Sequence, residues 1–213
     1  MNVTQSTYSK IASITCFVAC AGDFAVTFII GFMHKGYNFL TQSESFLGTE
    51  DSPVAKYMNA WEIIFTLLFL ACAYSLFKAG FSKNRWQLTV VWLIVVYGLG
   101  EGLGSGLFPY NHIGNELTLS GKLHSLFSGI GVAALVATPF ILLKTFPRKD
   151  FPKLNRFFLF VAISGPILVI IFLFSRQDLF PLRGLWQRLF LLDYYLMLMV
   201  LSLQATNTKV MAS

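Results

Sequence analysis

The chain has 213 residues, 55% of them hydrophobic and only 12% charged, with a mean hydropathy of +0.65. A soluble globular domain carries about 25% charged residues, so this surface must mostly face something other than water, and apolar runs near the ~20 residues that cross a bilayer indicate an all-α, polytopic integral membrane protein. The net charge of +6 does not mark a nucleic-acid binder, because the basic residues lie in short loops and form no aromatic-studded patch.

Six helical spans are expected, at about 11–33, 57–77, 86–108, 123–145, 157–175 and 185–204, forming one membrane domain over 1–213. Nothing alternates in the manner of a barrel strand, and backbone amides in hydrocarbon must bond within their own segment, so the spans read as helices. In the first span, Phe17-Val18-Ala19-Cys20 faintly resembles a lipoprotein cleavage site, but the apolar run continues from Phe24 to Met33, which favours a retained anchor. Cys16, Cys20 and Cys72 all fall inside spans, which argues against a disulfide framework or a paired zinc site and for small packing residues. The third span ends in "GLGEGLGSGLF" (98–108), glycine at every second position from 98 to 106. It lacks the lysine and hydroxyl of a phosphate loop and the spacing of a hydrolase elbow around Ser105, so close helix packing is expected there, or local unwinding near Glu101. Pro109 ends that helix and pushes Phe108 out of helical geometry, and the next helix is expected to start at Gly121 or Lys122.

Counting Lys and Arg by side gives ten on the side of the termini and six on the other. The bias predicts a protein of the plasma (cytoplasmic) membrane with both termini cytoplasmic. The long first loop, the 106–125 connection and the last connection, "RQDLFPLRGLWQR", then share the outer face.

Four of the ten acidic residues, Asp23, Glu62, Glu101 and Asp193, fall inside spans, where a charge costs about 2.5–3.5 kcal/mol. At 1.5 Å per residue they lie roughly 15, 7, 10 and 12 Å below the outer ends. His124 and Ser128, one turn apart, and Arg188 join them in that half. Any one of these reads most simply as a neutral group hydrogen-bonded between helices. The set implies a polar pocket opening outward. Its candidate catalytic groups are His124, Glu101, Glu62 and Asp193, and its candidate ligand contacts are Arg188, Gln187, Asn111, Ser45, Asn59 and Ser128. His124, His112 and Glu101 are the residues whose types would suit a divalent metal, the cofactor these side chains admit. His112, in a loop, reads more simply as an interfacial residue, and His34 as a residue flanking a span.

Several short motifs then carry a resemblance: "GYN" at Gly36–Asn38, Ser45-x-Leu47-Gly48 followed by Ser52-Pro53, Asn59, "GLFP" at Gly106–Pro109, Gly121 with His124, and "GLWQR" at Gly184–Arg188. In this order they resemble the domain-of-unknown-function 998 family of multipass membrane proteins. The resemblance implies about six spans and no assigned activity. It also implies an Asp two residues after the Phe-Pro, where this chain has Asn111. Three functions remain open. The leading one is an enzyme or binding protein for a lipidic or amphiphilic small molecule, with membrane lipids as surroundings and an oligomer compatible with it. The second is a proton- or cation-coupled transporter, and the third is an assembly or sensory partner without chemistry of its own.

Overall fold

The computed structural model describes residues 3–114, 116–177 and 179–204. Its main elements are six helices: α1 (Val3–Met33), α2 (Ala55–Ala79), α3 (Arg85–Leu107), α4 (Leu119–Thr145), α5 (Pro152–Ser175) and α6 (Arg183–Gln204). Each is long and apolar enough to cross a membrane, and the architecture is an all-α polytopic bundle. A one-turn 3-10 helix (Glu44–Gly48) lies in the first loop, and a two-residue hairpin, β1 (His112–Ile113) with β2 (Glu116–Leu117), lies between α3 and α4. Large apolar side chains such as Ile29, Phe32, Trp92 and Phe160 stand exposed around the bundle, as lipid contact requires.

The helices begin earlier than the hydropathy boundaries. α1 extends back through Thr4–Lys10, and α4 starts at Leu119 instead of Gly121 because the Thr118 hydroxyl caps it, accepting from the Gly121 amide at 3.1 Å. Hydropathy marks the hydrocarbon crossing, whereas capping marks the helix end. Pre-proline sterics act as expected: Phe108 has φ −120° and ψ 92°, and α3 stops at Leu107.

From Gly98 to Gly104, α3 widens into a π-helix. Its glycines alternate between two neighbours. A Cβ at Gly102 would run into the Thr66 hydroxyl and lie 2.9 Å from the Glu62 carbonyl of α2. One at Gly100 would lie 2.7 Å from the Phe127 carbonyl and 2.8 Å from the Gly131 amide of α4. α3 is thus in backbone contact with α2 and α4 at once, which no larger residue would allow. Thr66 Oγ1 donates to the Gly98 carbonyl at 3.0 Å, bonding to the backbone where the π turn begins.

The three connections 34–54, 108–118 and 176–182 converge on one end of the bundle, the loop-rich face. Leu185 N donates to Leu40 O, Glu50 N donates to Asn111 Oδ1, and the Arg183 guanidinium lies 6.0 Å from the Phe46 ring. Beneath them a core of interlocked aromatics, including Phe65, Phe69, Tyr97 and Tyr195, fills the centre of the bundle.

Candidate functional site

Under the loop-rich face the helices enclose a set of polar groups. Asp23 of α1 is 6% exposed and accepts two hydrogen bonds, from Trp61 Nε1 at 2.8 Å and from Tyr195 OH at 2.7 Å. Tyr195 in turn accepts from Tyr97 OH at 3.0 Å, so one carboxyl ties α1, α2, α3 and α6 together. Trp61 reaches Asp23 because Gly22 leaves room for the indole: a Cβ there would lie 2.6 Å from the ring.

Glu44 comes from the first loop, folded inward by its 3-10 turn until the residue is 5% exposed. Its carboxylate lies 3.6 Å from Arg188 Nε and accepts from Thr27 Oγ1 at 3.3 Å, while its amide donates to Gln187 Oε1 at 2.7 Å. Burial, with the neighbouring Asp23 charge, pushes the Glu44 carboxyl from 4.5 up to about 8, against the pull of Arg188. Arg188 also donates through Nη1 to the carbonyls of Phe39, Gln42 and Gly184, and through Nη2 to Tyr37 OH. Burial raises the Tyr37 phenol to about 12 and keeps it protonated, donating to the carbonyls of Gln42 and Ser43. Arg188 thus anchors the first loop through Nη1 and Nη2, while its buried Nε makes no hydrogen bond among the described residues.

Glu101, on the π segment, accepts from Ser128 Oγ of α4 at 2.6 Å. His124, one turn before Ser128, is buried, and its Nδ1 lies 2.9 Å from the Phe108 carbonyl. A carbonyl only accepts, so Nδ1 is the donor in this contact. Glu62 faces the same space and takes no side-chain hydrogen bond among the described residues.

These groups surround two adjoining cavities of about 20 Å³ each, large enough for a water molecule and too small for a lipid. Ser45, Glu101, His124 and Gln187 line both. Asp23, Glu44, Glu62 and Ser105 complete the deeper one, where the Ser105 hydroxyl, in a residue 6% exposed, has no partner among the described residues. Ser125, Ser128, Tyr110 and Arg176 complete the shallower one. Tyr110 also lines a third space, an open vestibule of about 850 Å³ bounded by Phe46, Thr49, Glu50, Asn111, His112 and Arg183. Tyr110 is thus the partition, held by Arg176, whose Nη2 donates to its hydroxyl at 3.0 Å.

A model of the family described as "Protein of unknown function (DUF998)" matches residues 17–204. The chain belongs to the DUF998 family. Neither a curated protein nor a solved structure matches it. The motifs that carry the resemblance gather largely at this end of the DUF998 chain, where Ser45, His124 and Gln187 line the inner cavities, while Asn111, the departure from the family pattern, stands on the vestibule wall.

The structure therefore brings together Glu62, Glu101, His124, Ser45, Ser128 and Gln187, as the sequence suggested. Asp193 does not join them. It is on the α5 side of α6, where it accepts from Ser164 Oγ at 2.8 Å. Asn59 packs against Gly48 outside the cavities. His112 lies on the vestibule side of Tyr110 while His124 lies behind it, their rings 4.6 and 5.2 Å from the tyrosine ring. Among the described residues no three His, Cys, Asp or Glu are disposed to hold a metal ion, so His124, His112 and Glu101 do not converge as one ligand set. Sequence reasoning missed Glu44, Tyr195 and Arg176. Glu44 stands among Ser, Thr and Gln in a loop, and its only signal was the adjoining apolar Phe46-Leu47.

Proposed function

We propose that this protein binds an amphiphilic small molecule in the vestibule, in the outer half of the bilayer of the plasma membrane, with both termini cytoplasmic, and that the carboxyl cluster behind Tyr110 exchanges protons with its polar end. The supporting observation is the size step at Tyr110. The vestibule falls in the range of ~300–1,000 Å³ typical of small-molecule sites, whereas the inner cavities admit only water and protons. His124 and the Glu101–Ser128 pair line the cavity behind that partition and are the groups placed to hold or pass a proton. Asp23, Glu44 and Glu62 lie deeper and share the charge.

Proton- or cation-coupled transport is the second reading. It is favoured by four carboxyls facing one cavity with Arg188 as the guanidinium touching any of them. The two readings differ in what copurifies. Protein extracted in mild detergent should carry one amphiphile enriched over the bulk membrane extract in mass spectrometry, and Tyr110→Ala and Glu101→Gln should lower its amount. A wild-type extract with the composition of the bulk lipid would remove the first reading. A C-terminal reporter active only in the cytoplasm tests the orientation.

A further inference from the structure

The opposite end of the bundle carries a feature unrelated to the carboxyl cluster. The turn between α2 and α3 is tightly built. Gly80, at φ 100°, closes α2, and the Asn84 side chain caps α3 by accepting from the amides of Trp86 and Gln87. Running from this turn along the two helices is an apolar groove of about 300 Å³. Its walls are two stripes at helical spacing, Leu70, Tyr74 and Phe77 on α2 and Leu88, Trp92 and Val95 on α3. Tyr74 and Trp92 are more than half exposed, so none of the described residues covers the groove. Seven residues of helix give it a length of roughly 10 Å.

Its mouth is basic. Lys78 follows Tyr74 by one turn, with Nζ 5.6 Å from that ring, and Lys83 and Arg85 flank the turn, Arg85 lying 4.4 Å from the Trp86 ring. No acidic residue occurs between Glu62 and Glu101. The ion pairs among the described residues, Lys149–Asp150 and Arg188–Glu44, involve none of these three cations. The hairpin thus presents an apolar slot ending in three charges that no carboxylate answers among the described residues.

We infer that this groove is a binding site for an anionic phospholipid, one acyl chain lying between α2 and α3 and the phosphate held by Lys78, Lys83 and Arg85. Charge complementarity decides the occupant. Basic pockets between spans on the positively charged side of a membrane protein recognise anionic head groups, and the sequence places ten of its sixteen Lys and Arg on this side. A second copy of the chain seated here would bring a second set of the same cations against the first. The inference does not rest on the vestibule reading, since no residue is shared.

The test uses the full chain in detergent, mixed with phosphatidylglycerol or phosphatidylcholine of equal chain length and read by native mass spectrometry. The expected result is retention of phosphatidylglycerol at least an order of magnitude above phosphatidylcholine. Lys78→Gln should reduce that preference, and the K78Q/K83Q/R85Q variant should abolish it. Leu88→Trp, which fills the groove, should lower retention of phosphatidylglycerol with the three cations intact. The cations are exposed, so unfolding temperatures without added lipid should match wild type. Equal retention of the two lipids by wild type, or undiminished preference in the triple variant, would overturn the proposal. So would a dimer that Leu88→Trp dissociates.

Discussion

Glu44→Gln isolates one buried carboxyl whose titration the structure makes unusual. Wild-type Glu44 titrates at about 8 in the folded chain against 4.5 when solvated, because burial and the Asp23 charge outweigh Arg188. Its folded-state value is raised, so its contribution to stability is fully present below pH 4.5 and is lost as pH climbs through about 8. Across that window the folded protein holds up to one more proton than the unfolded one, so unfolding free energy falls by at most about 1.4 kcal/mol per pH unit. Glutamine keeps the shape and can still accept from Thr27, but it cannot titrate. Thermal unfolding in detergent, followed by tryptophan fluorescence from pH 5 to 9, should show wild type losing stability more steeply than Glu44→Gln. The variant should be the more stable of the two at pH 9. Superimposable pH profiles would show that Glu44 is ionised throughout, and the account of its burial would be wrong.

Ser128→Ala leaves Glu101 without its donor and should cost about 1–3 kcal/mol by denaturant or thermal unfolding; an unchanged midpoint would mean that water replaces the hydroxyl. Gly100→Ala forces backbone apart between α3 and α4 and should destabilise by about 1–3 kcal/mol, whereas Gly129→Ala, where a Cβ meets open space, should not. Ser128→Cys should react slowly with a charged thiol reagent while Tyr110 stands, and an order of magnitude faster once Tyr110→Ala joins the inner cavity to the vestibule. Equal labelling rates would deny Tyr110 its role as a partition.

The six crossings were legible because hydropathy is a local property, and so was the gathering of Glu62, Glu101, His124 and Ser128, because an acid inside a span must face the bundle. The glycines at 98–106 announced close packing, although their division between two neighbouring helices, and the π turn that results, depend on which helices lie on either side. What the sequence hid is tertiary. Glu44 lies in a loop where no motif marks it, and only the folded chain shows that loop turned inward beside Arg188. Asp193 looked equivalent to the other intramembrane acids. It instead accepts from Ser164 of α5 and lines neither cavity.

The Asp23–Tyr195 hydrogen bond joins residues 172 positions apart. At about 5–20 residues per second of synthesis, roughly ten to thirty seconds separate the emergence of the two groups. For that interval the first crossing holds its carboxyl without its last donor. Trp61, only 38 positions downstream, supplies the earlier one. The order of translation therefore gives Asp23 a temporary escort before its permanent one, and a pause or truncation ahead of the sixth helix would leave an under-bonded acid inside an assembling bundle, a feature by which membrane quality control could recognise an unfinished chain.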